Sequence, residues 1–472
     1  MGQKRHYRVT TPLPVSVADA FAYHERPGAL QRLTPPWESV SLESSDQSLH
    51  VGSEVVLRTR FAGVPLRWVA RHTEYDPPRH FADTQVSGPF ASWNHHHEFR
   101  ERVGAQPESG ASLTDLVEYE LPMGALGDFC GSSIAQRKIE SMFAYRHRVT
   151  ADDLQLIARY RSAPLRFAIS GSSGLVGSNL TRLLTLLGHQ ATPIVRSKDH
   201  SSSDENDCAI AAWSDASEIE KFSDVDVVVH LAGKSIAGGR WSEQVKQQIR
   251  DSRVVKTRQL CESLATLKRK PKVLICASAT GIYGDRGDTV LDESSSPGDD
   301  FLADVASEWE AACQPAIDAG IRVVNARFGL VLSVAGGALE KMLLPAKMMG
   351  GKLGSGKQWW SWIALDDVLG AIYHCVQSEG VSGPVNFVSP EPITNADFTR
   401  VLGRVLNRPP LFPAPAFGLR LALGEMADAL LLASTRVVPR ALQQSGYTFR
   451  FSELESALRY SIGLDRLQSE AL

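Results

Sequence analysis

A glycine-rich turn is the part of the sequence whose residue types and spacing most clearly suit binding chemistry. Gly171 permits a tight turn, Gly174 lets the backbone approach a pyrophosphate, and Gly177 lets a following helix pack closely on a sheet. The N-terminus of that helix then presents free N–H groups and a positive dipole to phosphates. The pattern predicts a dinucleotide site, with an ordinary glycine-rich turn as the alternative. Its residues are Gly171, Ser172, Ser173, Gly174, Leu175, Val176 and Gly177.

The end of the next predicted strand indicates which dinucleotide is bound. The run Gln190–Arg196 ends in Ile-Val-Arg, without Asp or Glu. An acidic residue at this point holds the ribose 2′-OH of NAD, whereas an arginine accommodates the 2′-phosphate of NADP. Arg196 therefore favours NADP, and a solvated arginine at a strand end is the alternative.

Three consecutive histidines, His95, His96 and His97, raise the question of a metal site. Successive side chains of a strand point to opposite faces, so only His95 and His97 can share one. Two ligands do not make a closed metal site. We therefore predict no metal here and interpret the run as histidines on both faces of a strand.

The elements that position the glycine turn alternate between strand and helix after Pro164. Short apolar runs separated by helical patterns predict an α/β Rossmann-type, doubly wound parallel sheet. The predicted strands are Leu165–Ser170, Gln190–Arg196, Val225–Leu231, Val273–Ala277 and Ile321–Phe328. The predicted helices are Ser178–Leu187, Glu243–Leu267 and Phe301–Ala319.

The first 160 residues or so have a different rhythm. A short helix is predicted at Val17–Tyr23 after Ser16 as N-cap, and a long one from about Gly131 to Tyr160. Together with several strands, they predict an α+β domain in which a helix lies against a curved antiparallel sheet. The predicted strands are Glu54–Arg60, Leu66–Tyr75, Ser92–Arg100 and Ser112–Glu120.

Length and composition limit the classes of protein. The chain has 472 residues, 43% hydrophobic and 22% charged, which are ordinary globular values with room for more than one core. A formal net charge of −3 argues against nucleic-acid binding. The six cysteines form no C-x-x-C pair, which indicates neither a disulfide framework nor a zinc site. No signal peptide or membrane span is visible, so a cytoplasmic protein is predicted.

Several segments resemble the extended short-chain dehydrogenase/reductases, in particular their atypical, sugar-nucleotide-epimerase-like branch. They include the glycine turn, VVVHLAGKSIAGGRW at 227–241, CASATGIYGDRGD at 276–288 and a C-terminal substrate-side segment at about 413–463. The resemblance implies a nicotinamide cofactor, for which Arg196 favours NADP, and a small-molecule substrate. It also implies that Leu231, Ala232 and Gly233 pass under the adenine ribose and the phosphates.

The catalytic residues of that family are a Tyr-x-x-x-Lys pair and a Ser or Thr, in which the Tyr shuttles a proton while hydride moves to or from the nicotinamide. Where the pair is expected, residues 299–306 read DDFLADVA, without Tyr or Lys. The Ser or Thr falls at Ser278 or Thr280, and Tyr283, just beyond, is the one candidate there for a substitute proton donor. In related enzymes this tyrosine mostly shapes the substrate pocket, so its role stays open.

The first domain resembles, more weakly, the START-like (SRPBCC, polyketide-cyclase-like) helix-grip family. The matching pieces are residues 10–37, DTQVSGPFASWNHHHEF at 83–99 and the long final helix. The resemblance implies an apolar pocket for a hydrophobic small molecule between sheet and helix. The predicted domains are therefore 1–160, START-like and helix-grip, and 161–472, Rossmann-type.

Three functions stay open at this point. The first is an NADP-dependent oxidoreductase or nucleotide-sugar epimerase-like protein with a hydrophobic-ligand domain. The second is a non-catalytic NADP-binding sensor or scaffold, which the missing Tyr and Lys favour. The third is a carrier that hands a ligand from the first domain to the second. Nothing in the sequence indicates the oligomeric state.

Overall fold

The computed structural model of the chain describes residues 2–61, 64–102, 110–195, 210–211 and 219–466. The chain divides into two compact units. The first unit comprises Met1–Ala163, Arg182–Gly188 and Arg459–Leu472, and the second comprises Pro164–Thr181 and His189–Leu458.

An antiparallel sheet forms most of the first unit. Its strands are β1 (Arg5–Leu13), β2 (Ser41–Ser45), β3 (Glu54–Phe61), β4 (Val64–Asp76), β5 (His80–Ser87), β6 (Ser92–Glu101) and β7 (Ala111–Glu120). They pair in the order β1-β7-β6-β5-β4-β3-β2. The helices are α1 (Val17–Glu25), α2 (Ala29–Arg32) and α3 (Ala125–Tyr160). The predicted α+β helix-grip arrangement is confirmed.

One face of this sheet is buried under α3. In β6 the residues Trp93, His95, His97 and Phe99 are buried, while those between them are more exposed. This is the period-2 alternation of a strand with one covered face. Ile139 and Phe143 of α3 pack in the same apolar cluster as Trp93. α3 begins at Ala125, earlier than the predicted start near Gly131.

The second unit contains the remaining strands and most of the remaining helices. The strands are β8 (Arg166–Ser170), β9 (Gln190–Val195), β10 (Ile210–Ala211), β11 (Val227–His230), β12 (Val273–Ala279), β13 (Val290–Leu291), β14 (Arg322–Phe328), β15 (Leu330–Leu332), β16 (Gly350–Leu353), β17 (Trp359–Trp360), β18 (Trp362–Ala364), β19 (Gly383–Phe387), β20 (Ile393–Thr394), β21 (Phe412–Ala414) and β22 (Arg436–Val437).

The helices after residue 164 are α4 (Leu175–Leu186), α5 (Glu243–Asp251), α6 (Val254–Thr266), α7 (Phe301–Ala311), α8 (Gln314–Asp318), α9 (Gly337–Lys347), α10 (Leu365–Gln377), α11 (Asn395–Val405), α12 (Ala416–Leu423), α13 (Glu425–Ala427), α14 (Arg440–Gln444) and α15 (Leu454–Ser461). Short 3-10 turns lie at Glu220–Asp224 and Thr280–Tyr283, and a π-helical turn at Asp428–Leu432. In the described part of the chain, no helix has both the length and the apolar character needed to cross a membrane.

Seven strands of the second unit form a parallel sheet in the order β10-β9-β8-β11-β12-β14-β19. All four residues of β11 are buried, as expected for a strand covered on both faces. The chain order reverses between β8 and β11, and doubly wound folds bind ligands at the carboxyl ends of the strands at such a point. The Rossmann-type prediction is confirmed.

Two helices that were predicted as continuous are each divided. Glu243–Leu267 forms α5 and α6, because the Ser252 hydroxyl donates to the carbonyl of Ile249 at 3.0 Å and accepts the N–H of Lys234 at 3.1 Å. Such local bonds compete with helical ones. The second predicted helix divides into α7 and α8 at a segment containing Pro315, which has no N–H to continue the helical pattern.

Candidate functional site

The glycine turn lies between the end of β8 and the start of α4. Gly171 has a φ of +70°, and an added Cβ would stand 2.9 Å from the carbonyl carbon of Leu231. A Cβ on Gly177 would overlap the carbonyl oxygen of Gly171. A Cβ on Gly174 would lie 3.2 Å from that same oxygen. The backbone of the turn therefore folds this tightly only without side chains at these positions.

The first turn of α4 supplies hydrogen-bond donors at this edge of the sheet. The N–H of Gly174 donates to the carbonyl of Gly171 at 2.9 Å, and the N–H of Ser178 donates to Gly174 at 2.9 Å. Between them, the N–H groups of the first helical residues lack partners within the helix, as at any helix start. The tight turn and these donors fit a dinucleotide pyrophosphate.

A series of buried hydrogen bonds connects the residue before the turn, Ser170, to His230 and Thr257. Ser170 Oγ accepts the N–H groups of Leu231 at 3.1 Å and Ala232 at 3.3 Å, so its own proton goes to His230 Nδ1 at 2.7 Å. His230 Nε2 therefore carries the ring proton and donates to Thr257 Oγ1 at 3.1 Å. Burial lowers the pKa of His230 to about 4, so the ring is neutral at physiological pH.

Gly233, next along this strand end, lies over the guanidinium of Arg253. A Cβ on Gly233 would stand 3.4 Å from Arg253 Cζ. The guanidinium stacks 5.1 Å from the centre of the Trp309 ring, and burial lowers the pKa of Arg253 to about 10. The sequence pattern predicted Arg253 only as part of a helix, and its position beside Gly233 was not predicted.

The three candidate catalytic hydroxyls lie at and after the end of β12. Ser278 Oγ donates to Glu310 Oε1 at 2.7 Å, and Thr280 Oγ1 donates to the carbonyl of Phe328 at 3.3 Å. Ser278 and Tyr283 are buried, whereas Thr280 is only partly buried. Thr280 is thus the most accessible of the three.

Tyr283 belongs to a buried network that sequence reasoning did not find. Arg327 Nη1 donates to its hydroxyl at 2.8 Å, and that hydroxyl donates to Asn386 Oδ1 at 2.7 Å. Arg327 also donates one hydrogen bond to each carboxylate oxygen of Glu310, both at 2.8 Å. Burial raises the pKa of Tyr283, although Arg327 acts in the opposite direction. The phenol is therefore a donor that stays protonated.

Phe301 begins α7, in the segment where the family's tyrosine was expected. Its ring packs edge-on against Trp241 with centres 5.5 Å apart, and Lys246 Nζ lies 5.2 Å from the ring centre. Lys246 also pairs with Glu425. Arg196, predicted to select NADP, lies outside the described residues.

The first unit encloses a large cavity of about 710 Å³ between its sheet and α3. Its walls are mainly apolar, and a volume of this size suits a small organic ligand. The lining residues include Leu57, Trp68, Phe81, Trp93, Ile139 and Met142.

Comparison with known families defines the class of each part. Residues 167–387 match the NAD dependent epimerase/dehydratase family, and residues 13–143 match the polyketide cyclase / dehydrase and lipid transport family. Residues 414–460 match a domain of unknown function, DUF1731. The chain thus joins an SRPBCC-like domain to a short-chain-dehydrogenase-like, NAD(P)-dependent epimerase-type domain.

Individual relatives give the family. An epimerase family protein of Mycobacterium bovis is 42% identical over 298 residues, which cover 62% of this chain and 96% of the relative. One from Bacillus subtilis is 39% identical over 298 residues, covering 62% and 97%. The chain belongs to this epimerase family.

Two solved structures are similar. A nucleoside-diphosphate sugar epimerase from Corynebacterium glutamicum has a TM-score of 0.78 and 33% identity, covering 98% of this chain and 91% of that one. A human epimerase family protein solved with NADPH has a TM-score of 0.57 and 31% identity, covering 63% and 99%. The first similarity extends over both units.

Proposed function

We propose that the second unit is an NADP-dependent oxidoreductase or nucleotide-sugar epimerase-like enzyme. The proposal rests on the position of the glycine turn relative to the three candidate catalytic hydroxyls. The glycine turn follows β8, and Ser278, Thr280 and Tyr283 lie at or after the end of β12, so both stand at the carboxyl ends of parallel strands that flank β11. A cofactor held at the first position would extend toward the hydroxyls at the second.

The residues of the chain divide the work in this proposal. Gly171–Gly177 and Leu231–Gly233 bind and orient the dinucleotide. When bound, its nicotinamide supplies or accepts the hydride. The hydroxyls of Ser278, Thr280 and Tyr283 are the groups that donate a proton to the substrate or accept one from it. Arg327 holds the Tyr283 oxygen in place, and Asn386 Oδ1 accepts the hydrogen bond of the Tyr283 hydroxyl in the resting state.

The preference for NADP rests on Arg196, with support from the NADPH in the human relative. The test is a titration of the full chain with NADPH and NADH, following nicotinamide fluorescence. Arg196→Ala is expected to weaken NADPH binding about 10- to 100-fold and leave NADH binding unchanged, since a charge-assisted bond to phosphate contributes about 1.5–3 kcal/mol.

Arg166→Ala is the matched control for this titration. Arg166 begins β8, so it lies at the amino-terminal ends of the parallel strands, away from the proposed cofactor site, and it pairs with Asp224 at the surface. Failure of the wild-type protein to bind either dinucleotide would contradict the cofactor proposal. Equal weakening by both substitutions would contradict the role of Arg196.

Catalysis is tested with NADPH deuterated at the reactive nicotinamide carbon. Transfer of deuterium to a carbonyl substrate, or inversion of a nucleoside-diphosphate sugar followed by NMR, is the expected result; the sugar class follows the Corynebacterium relative. If Tyr283 donates the proton, Tyr283→Phe lowers kcat about 100-fold or more. Tyr373→Phe is the control, since that hydroxyl is also buried and bonded, to His189.

A second candidate function is a non-catalytic NADP-binding sensor, scaffold or carrier. The observation that favours it is Phe301, whose ring cannot donate a proton in the segment where the family's tyrosine was expected. This function predicts dinucleotide binding without deuterium transfer to any substrate. Binding together with transfer rejects it.

We further propose that residues 1–160 form a START-like domain that binds a hydrophobic ligand in its cavity, separate from the domain at 161–472. A fluorescent fatty acid is the probe. Ala135→Phe fills the cavity from α3 and is expected to abolish binding. Gln136→Phe, at an exposed position of the same helix, is the control and should bind as wild type.

A cytoplasmic location of the protein also remains a proposal.

A further inference from the structure

Four titratable side chains, of which Asp83 is partly buried and the other three are buried, share one face of three neighbouring strands in the first unit. His95 and His97 stand on β6, Asp83 lies directly across from His95 on β5, and Asp115 lies directly across from His97 on β7. Cross-strand partners in an antiparallel pair point to the same face. The sheet register therefore gathers two imidazoles and two carboxylates that are scattered along the sequence.

Three of these side chains have the spacing of metal ligands. One ligand atom from each of Asp83, His95 and His97 lies within 4.8 Å of the others. Asp83 Oδ1 is 3.4 Å from His95 Nδ1. Around a tetrahedral Zn²⁺ with ligands at about 2.0–2.2 Å, neighbouring ligand atoms stand about 3.3–3.6 Å apart. The distance between Asp83 Oδ1 and His95 Nδ1 falls within that range.

Asp115 stands behind the two imidazoles. Its Oδ1 lies 2.6 Å from His97 Nδ1 and 3.5 Å from His95 Nε2, while its Oδ2 is 2.9 Å from His147 Nε2. A metal-bound histidine typically gives its other ring N–H to such a carboxylate, which fixes the ring orientation. The nitrogens left for a metal are His95 Nδ1, on the side of Asp83, and His97 Nε2.

Three buried atoms of the cluster lie beside one another in poor hydrogen-bond alignment. His95 Nε2, His97 Nδ1 and Asp115 Oδ1 make no aligned hydrogen bond within the described residues, although they lie close together. Buried polar atoms are normally paired. A cation bound to the opposite nitrogens, His95 Nδ1 and His97 Nε2, would orient both rings so that these atoms align with Asp115.

The cavity lies against the same three residues. Asp83, His95 and His97 line it, whereas Asp115 and His147 do not. An ion held by the three would therefore have ligands on one side and an open position toward the apolar cavity, as metal sites that bind or activate a ligand do.

We propose that Asp83, His95 and His97 bind a divalent transition-metal ion whose open position faces the cavity, with Asp115 as the outer partner of both rings. Two imidazoles and one carboxylate suit Zn²⁺ and Fe²⁺. The open position would take water or the polar head of an otherwise apolar ligand. The ion makes this cavity selective for molecules with a carboxylate, carbonyl or hydroxyl group at one end.

The test uses the full chain, stripped with a chelator and then loaded separately with Zn²⁺, with Fe²⁺ under anaerobic conditions, and with Co²⁺ as a spectroscopic probe. We expect one equivalent of metal per chain, and X-ray absorption showing scattering from two imidazoles. His97→Ala and Asp83→Asn should each weaken binding by about 100-fold or more, and Asp115→Asn by about 10- to 100-fold.

His96→Ala is the matched control, because His96 lies between the two ligand histidines but on the other face of β6. It should bind metal as wild type does. If the wild-type protein binds neither Zn²⁺ nor Fe²⁺ stoichiometrically, the proposal is overturned, whatever the variants do. Folded His97→Ala that binds as tightly as His96→Ala also overturns it, and would leave a hydrogen-bonded acid–base cluster. The relative uptake of Zn²⁺ and Fe²⁺ identifies the ion.

Discussion

Ser170 Oγ lies 2.7 Å from Nδ1 of His230, directly below the glycine turn. Because Ser170 ends β8 and His230 ends β11, the bond joins the two strands between which the chain order reverses. The same serine oxygen receives the N–H groups of Leu231 and Ala232. The backbone proposed to carry the cofactor is thus held by a buried imidazole that must remain neutral.

The first prediction concerns the stability of this network at low pH. The folded pKa of His230 is about 4, below the ordinary 6.5 of the unfolded chain, because burial disfavours the charged ring. Its contribution is fully present above pH 6.5 and is lost as pH falls toward 4, since only the unfolded chain then gains the proton. The loss is about 3 kcal/mol.

His230→Asn tests this, because it keeps an acceptor for Ser170 but cannot titrate. The free energy of unfolding is measured for both proteins at several pH values, so that groups they share cancel. The advantage of wild type over the variant should shrink by about 3 kcal/mol between pH 7.5 and pH 4. If the difference in unfolding free energy between the two proteins does not change with pH, His230 takes up a proton as readily in the folded protein as in the unfolded chain, and the prediction is wrong.

The second prediction concerns Gly177. A methyl group at this position would overlap the carbonyl oxygen of Gly171, so Gly177→Ala must displace α4 or the turn. We expect a loss of about 1–3 kcal/mol in stability and loss of dinucleotide binding. Gly380→Ala is the control, because an added Cβ there meets nothing within 4 Å. Melting temperature and NADPH titration give both readouts, and similar behaviour of the two variants would refute the steric argument.

The third prediction concerns the pair of Arg327 and Glu310, whose side chains are 8% and 13% exposed. Arg327→Met leaves a largely buried carboxylate without its counter-ion, and we expect a cost of about 3–5 kcal/mol. Adding Glu310→Gln to it should recover part of that loss, because no uncompensated charge remains. Urea unfolding of the two single variants and the double variant measures the coupling, and strictly additive effects would contradict it.

The fourth prediction concerns Asp153 in the first unit. Its carboxylate receives two bonds from Arg32 and one from the Tyr23 hydroxyl, all at 2.9 Å and all buried. Asp153→Ala removes the buried carboxylate that both side chains bond and should cost about 3–5 kcal/mol. Glu43→Ala, which removes the partner of the exposed Arg58, should leave the melting temperature unchanged. The reverse order of effects would contradict this assignment.

Much of the fold was readable from local patterns. Apolar runs around residues 169, 228 and 275 predicted strands of a parallel sheet, because strands covered on both faces have no polar side. The breaks in the two divided helices were not predicted. In the first, the Ser252 hydroxyl bonds the carbonyl of Ile249 before the break and the N–H of Lys234, which lies 18 residues earlier in the chain, and only the structure shows the second bond.

The candidate site was only partly readable. The positions of Ser278, Thr280 and Tyr283 followed from a resemblance, but the bonds from Tyr283 to Arg327 and Asn386 did not. Those partners lie on β14 and β19, and strand order across a sheet cannot be inferred from spacing along the chain. The contact between Gly233 and Arg253 was also not predicted, because it joins a strand end to a helix junction that is distant in the chain.

The sequence by itself determined the glycine turn, because phosphate binding at a helix start depends on a few consecutive residues. It also showed that His95 and His97 share a face, because strand alternation is local. Only the tertiary structure decided what stands beside them. The register of β5, β6 and β7 places Asp83 and Asp115 next to those histidines, and such register is set by packing of whole strands rather than by neighbours in the chain.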